Sequence, residues 1–263
     1  MSRTHDKWSR IYIGGYDMSG YAHSYDEYGF SLATQPMAAL SDGSKNVVVG
    51  QATVEAGNVN AFLAPADSGA SEVGFHELLK SGTGTFIYTI AFGVQAEPVA
   101  GDILFSYPFE LSAYKSKAGE GFNTVSITWA GATSTNSLVS AGFAMPFGRI
   151  LNPKSAKTAV NSSTGIDDFG ASTALGGVFV YHLFSSNGTV TLKAQHAATN
   201  LDGSFADITG ATSGSINGST TPASGMVATS TRLSINRYLR WQLVFGTATT
   251  ATFMAGFIRR NWS

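Results

Sequence analysis

Short runs in which apolar and polar residues alternate with a period of two constrain this chain more than any other feature. Val190, Leu192 and Ala194 alternate with Thr191, Lys193 and Gln195, and Leu239, Trp241 and Leu243 alternate with Tyr238, Arg240 and Gln242. An extended strand sends successive side chains to opposite faces, so such runs fit sheets with one buried face. Composition points the same way, because only 13% of the residues are charged while 12% are aromatic and 30 are glycine. A helical bundle needs Lys/Glu faces and a disordered chain needs high charge with low hydrophobicity, and this chain has neither. Its aromatic and β-branched residues favour strands. The expectation is an all-β protein with one short helix, at 263 residues long enough for one large β domain or two smaller ones.

Along the chain, strands are expected over residues 8–16, 26–33, 47–55, 59–63, 85–92, 102–114 and 123–130. In the run 102–114, Ile103, Phe105 and Tyr107 alternate with Leu104, Ser106 and Pro108; Pro108 lacks an N–H and should mark an edge or a bulge. Residues 70–81 read as the helix, with Ser71 as N-cap, Glu72 in the first turn and an apolar stripe of Val73, Phe75, Leu78 and Leu79. Residues 34–45 read as a loop carrying the apolar cluster Met37 to Leu40. It either covers a core or protrudes as a surface for another copy. Residues 146–170 are poor in strand pattern and set a boundary between a first domain, 1–150, and a second, 151–263. The second reads as a separate β-sandwich with strands over 176–186, 189–197, 226–235, 237–246 and 250–260, and a polar loop over 201–223.

Charge is uneven. Residues 1–140 hold 7 Lys and Arg against 13 Asp and Glu, a net −6, whereas residues 141–263 hold 9 against 4, a net +5. Neither half is basic enough for a nucleic-acid binder, but the asymmetry permits head-to-tail attraction between copies. The absence of cysteine excludes disulfides, thiolate zinc sites and a cysteine nucleophile. The polar start MSRTHDKWSR has no apolar signal core, and no run approaches the roughly 18 apolar residues of a membrane helix.

Catalytic sets are equally scarce. Asp167-Asp168 reads as a solvated turn, and His182 and His196, on strands, lack metal-ligand spacing and read as satisfied or surface histidines. Asp42, Asp67, Asp202 and Asp207 form no calcium loop, and Tyr181, Tyr238 or Trp262 would have to be exposed to stack on a sugar. The chain is therefore expected to be no enzyme, with no cofactor and no metal.

The opening stretch, Ile11 to Leu63, resembles that of the phage tail tube proteins. Those begin with a strand ending in a G-Y-D-L-S-like turn, here Gly15, Tyr16, Asp17, Met18 and Ser19. A long loop and a strand pair follow, marked here by Gly50, Gly57 and Phe62. In the second half, the turn DGSFADI, the run RYLRW and the closing FMAGFIRR are similar to β-sandwich modules of phage tail and other virion proteins. The resemblance implies a tail-tube-like β-barrel or sandwich domain followed by a second β-sandwich on the outside of the tube. It implies homo-oligomeric rings of six subunits, stacked into a tube through which phage DNA slides without specific binding. It implies contacts with other tail proteins, a place in the virion tail, synthesis in the host bacterial cytoplasm and no membrane. The loop over 34–45 and an N-terminal arm over 2–10 would reach the adjacent ring through Trp8, Arg10, Pro36, Met37, Leu40 and Asp42. A capsid decoration or minor tail protein, a glycan-binding virion module and, last, a sandwich hydrolase remain open as other readings.

Overall fold

The computed structural model describes residues 8–25, 28–37, 46–56, 58–62, 78–79, 84–93, 96–118, 123–131, 146–168, 172–219 and 221–260. In chain order the strands of the first half are β1 (Arg10–Ile13), β2 (Tyr16–Asp17), β3 (Ala22–Tyr25), β4 (Tyr28–Met37), β5 (Asn46–Ala56), β6 (Val59–Phe62), β7 (Thr85–Ala91), β8 (Ile103–Ala118) and β9 (Asn123–Gly131). Those of the second half are β10 (Phe147–Lys157), β11 (Ile166–Asp167), β12 (Gly177–Ser186), β13 (Thr189–Ala197), β14 (Ala206–Asn217), β15 (Ala223–Ala228), β16 (Tyr238–Phe245) and β17 (Ala251–Arg259). Of the expected helix only Leu78 and Leu79 lie among the described residues; they are helical, and Leu79 is buried in the core.

Strand order explains how the two halves join. One eleven-stranded sheet runs β15-β12-β17-β10-β8-β7-β1-β2, with β9, β6 and β3 branching from β8. Its central strands β12, β17 and β7 and the first half of β8 are buried on both faces, and the parity of each sorts its residues into layers. One face of the sheet gathers Tyr12, Ala91, Leu104, Ile150, Val178, Val180, Phe184, Met254 and Ile258 into a single cluster. These residues come from strands at opposite ends of the order, so the sheet is curled until its ends meet around its own inner face. Gly15, between β1 and β2, closes the curl against Ala223 at the start of β15. Its φ is +93°, and a Cβ there would lie 2.8 Å from the Ala223 nitrogen. Gly256 on β17 faces Leu104 across the interior so closely that a Cβ would collide with the leucine side chain.

The other face packs outward in two places. On the first-half side, Ile11, Ile13, Tyr88, Ile90, Phe105, Tyr107 and Phe109 build one core with Val125, Ile127 and Trp129 of β9. On the second-half side, Phe179, Tyr181, Leu183, Phe253 and Phe257 pack against a four-stranded sheet ordered β11-β16-β13-β14. Here the alternation holds: Val190, Leu192, Ala194, Leu239, Trp241 and Leu243 are all buried against the partner sheet.

Several expectations change. The segment 146–170, read as strand-poor, contains β10, which pairs with β8 on one side and β17 on the other and so links the halves. Two register shifts, between Ile150 and Asn152 and between Asn152 and Ser155, break its period and hid it. The expected boundary at 150 falls inside this strand. The polar segment 201–223, read as loop, contains β14, a mostly exposed edge. Gly210 and Gly214 there have positive φ (84° and 67°), and the pairing with β13 slips twice, so its apolar residues Ile208, Ala211 and Ile216 follow no period of two. The expected strand 26–33 continues as β4 to Met37, so residues 34–37 are strand, not loop, paired with residues 46–49 of β5. Pro108 sits where one edge of β8 has no strand among the described residues. Pairing with β10 ends at Phe105, pairing with β9 begins at Phe109, and the missing N–H is left without cost.

Candidate functional site

The one constellation that looks chemical lies on the inner face of the curled sheet. Thr89, Ser106 and His182 each interrupt an apolar run within a strand, and all three are fully buried. The backbone N–H of Gly15 donates to His182 Nδ1 at 3.2 Å. A ring nitrogen that accepts carries no proton, so the neutral imidazole holds its hydrogen on Nε2, which donates to Thr89 Oγ1 at 2.8 Å. Thr89 and Ser106 hydroxyls meet at 2.7 Å, and Ser106 Oγ donates to the Met226 sulfur at 3.6 Å. Every proton in the chain has an acceptor. Burial pushes the His182 pKa down to about 3, against a smaller opposing pull from Asp17.

Serine and histidine near each other invite a nucleophile reading, but Thr89 stands between them and all three are sealed from solvent. Without access for a substrate the set can only hold structure. It joins β7 and β8 of the first half to β12 and β15 of the second, and through Gly15 it fixes the closing turn. That turn is the segment that resembles tail tube proteins, and each residue in it has a structural task. Asp17 Oδ1 accepts from the Ser19 N–H and hydroxyl at 3.0 and 2.6 Å, and Ser19 Oγ accepts from Ile11 N at 2.9 Å. Asp17 Oδ2 also receives the Lys154 ammonium of β10 at 2.8 Å, a second tie between halves. Met18 is fully buried beneath the turn.

The acids of the second half are all spoken for. Asp168 is not in a solvated turn: it is 2% exposed and takes Arg259 Nε at 2.7 Å, while the same guanidinium donates to the carbonyls of Ile235 and Asn236. Its neighbour Asp167 pairs with Arg237 at the surface. Asp202 pairs with Arg240, which also donates to Gln195 and to the Ser162 carbonyl. Asp207 accepts from Lys193 and Gln195; burial works against its charge, yet these donors hold its pKa below the usual carboxylate range. Tyr181 is buried and Tyr238 half-buried, whereas Asp42, Asp67 and Trp262 lie outside the described residues. Among the described residues no group of three metal-ligating side chains forms, and no helix is long and apolar enough to cross a membrane.

The features left over are strand edges. β4 and β5 form a two-stranded sheet of their own, with no further strand on either side among the described residues. Its register pairs Tyr28 with Ala56, Phe30 with Val54 and Leu32 with Ala52, setting apolar residue types opposite one another. β8 outruns β7: pairing between them stops at Glu110, and from Leu111 to Ala118 β8 has β9 on one side and no described strand on the other. Among the described residues β3 pairs only with β6. Of the end strands of the second half, β11 and β15 are short and β14 is blunted by its two bulges.

The residues expected at an assembly contact divide among these features. Pro36 and Met37 end β4, opposite Val47 and Asn46; Leu40 and Asp42 lie outside the described residues. Arg10 starts β1, is paired to Ala91 of β7 and makes an ion pair with Glu97, and the Trp8 carbonyl accepts from Gly93 N at 3.3 Å. Residues 8–10 thus belong to the folded body. Sequence reading missed Thr89 and Ser106. The available signal was a single polar residue centred in each of the runs FIYTIAF, ILFSYPF and VFVYHLF.

No protein-family model matches the sequence, and no curated protein does. Among solved structures the chain is similar to SPP1 Dit (gp 19.1), described as a paradigm of the hub adsorption apparatus in phages that infect Gram-positive bacteria. That match has 11% identity and a TM-score of 0.30, and covers 95% of this chain and 98% of that one. A superposition this loose leaves the reading of the chain to its own residues.

Proposed function

We propose that this chain is a structural subunit of a phage virion, one that assembles with copies of itself into stacked rings forming the tail tube. The observation that carries the reading is the distribution of unpaired strand edges. In a monomer, long exposed edges are a liability that folds suppress with bulges, charges or short strands. Among the described residues, the first half leaves β3, the β4–β5 ribbon and the far end of β8 without a partner on one side, whereas in the second half the long edge β14 carries two register shifts and the end strands β11 and β15 are short. A heterologous contact that pairs the edge of one copy with that of the next closes into a ring when the rotation allows. The resemblance of the opening stretch to tail tube proteins supports the same arrangement.

Charge supports the channel. A first half with a net −6 offers DNA phosphates little to hold, so a lumen lined by it would let the genome slide. The second half, with its four acids already paired, would sit outside. Sedimentation velocity over a range of protein concentrations tests the proposal: a discrete ring species is expected, and a monomer at every concentration would refute it.

A further inference from the structure

A cleft of about 470 Å³ opens on the second-half side, lined by none of β3, β4, β5 or β8. Its floor is β10 and β16, with Leu151, Leu239 and Trp241. One wall is the segment 159–166, and Ala100 of the β7–β8 turn stands opposite. The wall is held rigidly. Leu243 N donates to the Val160 carbonyl at 2.7 Å, Asn161 bridges Gln242, and Arg240 donates to the Ser162 carbonyl at 2.8 Å. Gly165 exchanges hydrogen bonds with the Asn200 amide at 2.7 and 3.1 Å. Pre-formed clefts of this size with a few convergent polar groups are where small ligands bind.

The lining specifies the ligand. Asn161, Ser162, Ser163 and Thr164 are four consecutive amide or hydroxyl side chains, and none hydrogen-bonds to another described residue. Lys157 is the one charged residue of the lining. Its ammonium rests 5.7 Å from the centroid of the Trp241 ring and has no carboxylate partner among the described residues. No Asp or Glu lines the cleft. We propose that this cleft binds an acidic saccharide. The sugar hydroxyls meet the Asn161–Thr164 row, the carboxylate or phosphate takes the Lys157 ammonium, and the ammonium's departure uncovers indole for the apolar face of the sugar ring. The site is independent of the proposed ring assembly, since it is lined by no residue of β3, β4, β5 or β8.

The test is titration calorimetry of the purified full chain against saccharides in matched acidic and neutral pairs. The pairs are hexuronate oligomers against hexose oligomers, and a glycerol-phosphate-substituted glycan against its bare backbone. At least one acidic member should bind tenfold or more tightly than its neutral partner. K157M, which keeps the stem over Trp241, should erase that difference, and T164V should weaken both members. Which acidic pair shows the preference distinguishes a carboxylate from a phosphate. Equal affinities within every pair, or no saturable binding of any acidic member at millimolar concentration, would overturn the proposal, as would a preference that survives K157M. The wild-type comparison stands even if a variant fails to fold, and its outcome is read separately from whether rings form.

Discussion

His182 ties the two halves of the chain together through buried hydrogen bonds to Gly15 and Thr89. An imidazolium there would set a ring N–H against the Gly15 N–H, so the folded state admits only the neutral form. Its folded pKa of about 3 lies below the ordinary 6.5, so between those values the unfolded chain binds the extra proton. The resulting stability is fully present above pH 6.5 and is lost as pH falls towards 3. At pH 4.5 the loss is about 2–3 kcal/mol. Urea unfolding at pH 8 and at pH 4.5 should show it, and His182→Gln should flatten that part of the profile while lowering stability at pH 8. Asp168 gives a second prediction. Removing one partner of a buried pair leaves a desolvated charge, so Asp168→Ala should cost about 3–5 kcal/mol. Asp167→Ala, which breaks an exposed pair, should cost about 0–1 kcal/mol by the same assay. Comparable losses from the two would mean that burial does not separate them.

At the scale of elements, legibility followed regularity. β13 and β16 were plain because each has one buried face and an unbroken period of two. β10 and β14 were not, because Pro153 and two register shifts interrupt one, and Gly210 and Gly214 bend the other. β8 was visible as a strand, but its burial on both faces was not, since Leu104 and Phe105 are both apolar and Ser106 reads as a surface residue. The buried Thr89–Ser106–His182 line was out of reach for the same reason: pairing across 93 residues leaves no local pattern. The ribbon β4–β5 supplies this scale's prediction. Met37→Asp, at its described end, should leave the thermal unfolding of the subunit unchanged and block ring formation in sedimentation. An unfolded variant would instead place Met37 in the core.

For the whole molecule, the shared inner face makes the halves interdependent. Tyr12, Leu104 and Ile150 pack on Val178, Val180, Met254 and Ile258, and removing residues 169–263 would expose one full side of β7, β8 and β10. The truncated chain should therefore be insoluble or lack a cooperative melt, whatever its assembly behaviour. The proposed placement of the second half outside a ring is a separate matter, argued from where the long open edges lie. Among the described residues the long open edges on the β8 end and beside the β4–β5 ribbon lie in the first half, and on the proposed reading a ring of first halves would leave the second halves outermost. The most direct measurement is negative-stain electron microscopy of the purified full chain, with its mass in solution determined in parallel. Closed rings or tubes with an open lumen and peripheral knobs are the predicted result. A uniform field of monomers, with monomer mass at the highest concentration reached, would contradict the account.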